Sequence, residues 1–175
     1  MLRGEYVIMR VPEADDADIM AAWQNDGDVA KLLPIHQIPV SKSVTEDMIS
    51  GVRRDKNKIV FVIENDDGIP IGIASLKDID WIDGTAKMDI VLYAKNCWGR
   101  GFGYDSVRTL TDYGLDGINL NTIYVNILEG NDTAVKCFEK AGYRSEGVLQ
   151  NRVLKDGRMR NIISMSITGR SKGGL

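Results

Sequence analysis

The run Trp98-Gly-Arg-Gly-Phe-Gly-Tyr104 sets three glycines at alternate positions, Gly99, Gly101 and Gly103. With no Cβ, such a backbone can turn sharply and approach a ligand closely. The strand-like run Met88–Tyr93 precedes it, and Val107, Leu110, Gly114 and Ile118 follow at helical spacing. Free amides at the first turn of that helix would face a bound anion, aided by the helix dipole. The chemistry this suggests is a pyrophosphate cradle; a plain tight turn is the other reading of the same glycines. The spacing differs from the dinucleotide-binding fingerprint, and no Gly-Lys-Ser/Thr of a P-loop is present.

These residues need elements to hold them. Glu5–Val11 reads as a strand, and Glu13–Trp23 as a helix whose acidic opening turn suits the dipole. Residues 24–42, with Pro34, His36 and Pro39, read as loop or broken helix. Ser43–Arg54 follows as a second helix, with Ser43 and Glu46 at capping-box spacing. Strands are expected at Ile59–Glu64 and Ile69–Ile79, joined by Asn65-Asp-Asp-Gly68, and again at Ala86–Tyr93 and Thr122–Leu128.

A chain of 175 residues can bury one substantial core, so a single domain is expected over residues 1–168, with 169–175 a frayed end. No run of 18 apolar residues occurs, and Met1–Tyr6 reads as a strand-like start and not as a signal peptide. Two cysteines, Cys97 and Cys137, argue against a disulfide scaffold and for a cytoplasmic setting, and one histidine offers no metal cluster. A net charge of −3 without a large basic block gives no footprint for nucleic acid.

The glycine run, from Trp98 to Gly103, together with Asn131, Ala134, Gly142 and Tyr143 downstream, resembles the GNAT N-acetyltransferases, and within them the RimJ/RimL-like branch. The tail from Gly147 to Ile167 and the segment Ile71–Asp80 are similar to that branch as well, so the resemblance covers most of the chain. It implies an α/β (α+β) fold, a mixed sheet of about six to seven strands splayed in the middle, with about four helices. It also implies acetyl-CoA as co-substrate, entering the splay as though adding a strand. Val91, Leu92 and Tyr93 would face the pantetheine arm. Trp98, Gly99, Arg100, Gly101, Phe102, Gly103 and Tyr104 would hold the pyrophosphate. Asn131 would hydrogen-bond the cofactor, beside Ala134 and Phe138 at the thioester end.

The implied reaction is direct attack by a neutral amine, with the backbone amide of Leu92 or Tyr93 as oxyanion donor. Two positions depart from the family pattern. Phe138 stands where many members place a tyrosine that protonates the leaving thiolate, and phenylalanine has no hydroxyl. Lys87 stands where many place a glutamate, leaving Asp89, on the same strand face, as a substitute base. Helical spacing with Val135 and Ala141 also allows Phe138 a plain packing role. His36, Trp81 and Tyr124 are acceptor-side candidates, the first for proton transfer and the aromatics for cation–π contact with an amine. Ordinary surface or packing roles suit all three as well. The acceptor would be a protein N-terminus, a polyamine or a small amino-metabolite, without nucleic acid or membrane, and the resemblance admits a homodimer. The competing reading is a CoA-binding regulatory or degenerate module without turnover, suggested by Phe138 and Lys87.

Overall fold

The computed structural model describes residues 1–35, 38–52 and 54–169. Its strands are β1 (Leu2–Arg3), β2 (Val7–Arg10), β3 (Ile59–Asn65), β4 (Pro70–Asp80), β5 (Thr85–Leu92), β6 (Thr122–Leu128), β7 (Arg144–Lys155) and β8 (Arg158–Thr168). They form one sheet in the order β1-β2-β3-β4-β5-β6-β8-β7. Its α-helices are α1 (Ala17–Gln24), α2 (Gly27–Ala30), α3 (Lys42–Val52), α4 (Phe102–Asp112) and α5 (Asp132–Lys140). The sheet therefore has eight strands, beyond the six to seven expected, because the two-residue β1 pairs with β2. The helix in excess of four is α2, a single turn inside the expected loop, where the Asp26 side chain accepts from the amides of Asp28 and Val29.

Four successive residues of β3, Val60 to Ile63, are buried because the sheet is covered on both faces. On one face Phe61, Ile63, Leu76 and Met88 pack with Val107 and Leu110 of α4 and Phe138 of α5. On the other, Val62 packs with Ala17 and Met20 of α1 and Ile49 of α3. The start of α3 differs from expectation. Ser41, not Ser43, caps it, its Oγ accepting from the Val44 amide at 3.3 Å. The reciprocal capping box lies instead at Glu13 and Asp16, ahead of α1. The helix expected to run through Ile118 ends as α4 and continues as a π turn over Tyr113–Gly117. Gly114 sits there because a Cβ would fall 2.5 Å from Cδ1 of Ile123 on β6.

All pairings except one are antiparallel. The exception is β5 with β6, a parallel pairing of three residues: Thr85 with Thr122, Ala86 with Ile123, Lys87 with Tyr124. Beyond these the strands part, β5 running on to Leu92 and β6 to Leu128. The sheet is split open from Met88 and Val125 onward, as the resemblance implied.

Candidate functional site

The split exposes one edge of β5. The Tyr93 amide donates to Ile71 O at 3.0 Å, so the odd-numbered residues of β5 turn their backbone groups toward β4. By the same alternation Ile90 and Leu92 turn theirs toward the opening. Tyr93 is thereby removed as an oxyanion donor, since its N–H is already committed to β4. Tyr93 still lines the cleft, its ring packed in place. The ring stacks on Trp23 at 5.3 Å, and burial, with the Asp26 charge adding, pushes the phenol up to about 12. The Leu92 carbonyl accepts from Trp98 Nε1 at 2.9 Å, which folds the glycine run back against the end of β5.

In that run Gly99 and Gly101 have φ of +73° and +93°, conformations that side-chain-bearing residues rarely adopt. Gly101 is the N-cap of α4, and no side chain caps the helix's opening amides. Backbone amides left open in this way suit an anion. Gly103 has an ordinary helical φ, and an added Cβ would make normal contacts with Leu92 at 3.7 Å and Cys137 at 3.9 Å. Phe102 is buried in the core beneath the Arg100 guanidinium, so only its amide belongs to the cradle. Lys140 lies 4.3 Å over the Tyr104 ring, tying α5 to the first turn of α4.

Across the opening, Asn131 caps α5, its Oδ1 accepting from the Ala134 amide at 3.2 Å. Its Nδ2 donates to Leu32 O at 3.2 Å, in the segment that follows α2. Lys155 Nζ reaches the same segment from β7, donating to the carbonyls of Ala30 and Ile35. The cleft so closed measures about 180 Å3. Its walls include Val91, Ala134 and Phe138, and among the described residues its charged lining is Lys77, Lys87 and Asp89.

The Asp89 carboxylate pairs with Lys77 and stands 3.9 Å from Lys87. Tyr124 adjoins this group, its phenol raised by burial and by the charges of Asp78 and Asp89. Trp81 stays apart from the cleft. It lies at the β4–β5 turn, the opposite end of β5, where its indole donates to Lys56 O at 3.0 Å. His36 lies outside the described residues, as do 170–175 of the expected frayed end. Cys137 is half-buried with its thiol pushed up by burial, and Cys97 is buried.

Sequence reasoning missed Lys77, Asn126 and Lys155. Lys77 was legible only through hairpin register, which sets it opposite Lys87. A larger hollow of about 560 Å3, between Met1–Glu5 and the outer face of α4, shares no residue with the cleft.

An open strand edge leading to a glycine turn and an uncapped helix start can take an extended ligand that ends in a phosphate. Residues 7–144 match the acetyltransferase (GNAT) domain family. Over 178 aligned residues, spanning 99% of this chain and 98% of the relative, the chain is 27% identical to the uncharacterized N-acetyltransferase p20 of Bacillus licheniformis. It is 30% identical to the spermidine N(1)-acetyltransferase of Vibrio cholerae over 70% of each chain. The crystal structure of the Vibrio cholerae spermidine N-acetyltransferase with CoA and spermine superposes with a TM-score of 0.87, at 24% identity, covering 93% of this chain and 95% of that one. The split sheet and its backbone cradle are thus those of an acetyltransferase domain, and the chain belongs to the GNAT family of N-acetyltransferases, with acetyl-CoA as co-substrate.

Proposed function

We propose that the chain acetylates the primary amine of a small acceptor by direct attack within the cleft between β5 and β6. The observation that carries this reading is the unpaired inner edge of β5, continuous with the positive-φ glycines and the open start of α4. Backbone groups of Ile90 hold the extended arm of the donor, with the Val91 side chain along the cleft wall. The amides from Gly99 to Tyr104 hold the pyrophosphate, and Ala134 and Phe138 flank the thioester.

The Leu92 amide is the oxyanion donor in this account, pre-aimed into the opening before any charge develops. The acceptor must arrive, or become, neutral. Two lysines and one aspartate around it favour an uncharged amine over an ammonium ion, so the environment itself assists proton loss. Asp89 takes that proton directly or through water. No side chain need protonate the departing sulfur, because a thiol of pKa about 8.5 leaves readily as thiolate.

The RimJ/RimL-like branch, a single domain over 1–168, a cytoplasmic setting and a homodimer complete the reading. Among the described residues no helix is long and apolar enough to cross a membrane. The relatives that act on spermidine support a small free amine as acceptor in preference to a protein N-terminus.

CoA-thiol release from acetyl-CoA, followed over polyamines, amino sugars, amino acids and short peptides, tests the proposal. Acceptor-dependent release is expected. Protein that binds acetyl-CoA but releases no thiol with any amine would be a binding module, and the proposal would fall.

A further inference from the structure

Among the described residues that line the cleft, the charges do not balance. Among the described lining residues, Lys77 and Lys87 face one carboxylate, Asp89, and the other polar residues, Tyr93, Asn126 and Asn131, are uncharged. Asp89 is pulled to Lys77, while Lys87 holds it only at 3.9 Å. The Lys87 side chain is 19% exposed, so its ammonium has surrendered much of its water without gaining a close partner. Asp78 acts on the Tyr124 phenol from the β4 bulge but does not line the cleft. A half-buried, under-compensated ammonium beside the reacting amine is a receptor for an anion.

We propose that the acceptor is a small amine bearing a carboxylate or phosphate a few bonds from its nitrogen, the anion seated against Lys87 and Lys77. This rests on the acetyl-transfer reading and names the class of acceptor within it. A polyamine is disfavoured by the same geometry. Once one of its nitrogens is neutral for attack, the others remain cationic and meet two lysines against a single carboxylate. An anionic group reverses that sign and leaves the net field of the cleft near zero.

The test compares pairs with and without the anion, amino acids against their amides and phosphoethanolamine against ethanolamine, with spermidine alongside, each rate being referred to the neutral fraction of its amine. The expected result is a kcat/KM at least tenfold higher for the anionic member of a pair, with the amino-acid and phosphate arms deciding which anion fits. Lys87→Gln should collapse that preference, and Lys87→Arg should keep it, while calorimetric acetyl-CoA affinity stays the same in both. Preference for spermidine or for the uncharged amines overturns the inference and leaves acetyl transfer standing. Absence of turnover with every amine, from protein that binds acetyl-CoA, overturns both.

Discussion

The rings of Phe138 and Tyr143 meet edge to face, their centroids 5.0 Å apart and their planes at 82°. Tyr143 looks like the natural replacement for a missing phenol, but its hydroxyl is turned inward. It bonds Thr111 Oγ1 at 2.9 Å, and burial raises its pKa far above neutral. Neither ring offers a proton to the cleft. Because the thiolate leaves without an acid, Phe138→Tyr should change kcat little across the pH range. A pH profile of both forms checks this. Equal profiles would show that sulfur protonation does not limit turnover.

Gly101 and Gly103 separate folding from ligand approach. Gly101→Ala forces a side chain into φ near +93° and should cost about 1–2 kcal/mol of stability. Gly103→Ala sits at helical φ with room for its methyl, and alanine there should gain roughly 0.5–1 kcal/mol. Both should weaken acetyl-CoA binding. Thermal melts and calorimetry on the two variants give opposite changes in stability with the same sign in affinity.

Asp105, on the outer side of α4, clamps the chain start to the helix. Its carboxylate accepts from the amides of Glu5, Tyr6 and Val7, at 3.1, 2.7 and 3.0 Å. Asp105→Ala strands these donors and should cost on the order of 2–3 kcal/mol. Denaturant unfolding measures the loss.

Acid stability should depend on Asp16. The Arg10 guanidinium, bonded to it at 2.7 and 2.8 Å, holds its carboxyl below the ordinary value of 3.8, against the opposing effect of burial. A depressed folded pKa contributes stability that is full above about pH 4–5 and is lost as pH falls through the folded pKa. Asp16→Asn should lower stability at neutral pH and flatten its decline in acid, as followed by urea midpoints between pH 7 and 3.

The cofactor side of the site was more legible in sequence than the acceptor side, for a physical reason. A cradle of backbone amides announces itself through glycines that local conformation demands, as at Gly99 and Gly101. Strands such as Thr122–Leu128 showed through their β-branched alternation. The acceptor wall is made by tertiary register. Lys77 meets Asp89 only because a β-bulge and the β4–β5 hairpin align them, and Lys155 reaches the α2 segment from a distant strand. Tyr93 shows the same limit. Its amide is lost to the site because Ile71 lies opposite, which no local pattern announces. The one-turn α2 escaped notice because four residues carry no helical period, although Asp26 is a good cap.

In the proposed complex acetyl-CoA lies along the open edge of β5 and ends at the start of α4. Amide hydrogen exchange with and without acetyl-CoA tests it most directly. New protection is expected at Ile90, Leu92 and residues 101–104, with none at Met1–Glu5 or Arg108–Gly117. Protection confined to that second set, around the larger hollow, with β5 unchanged, would contradict it.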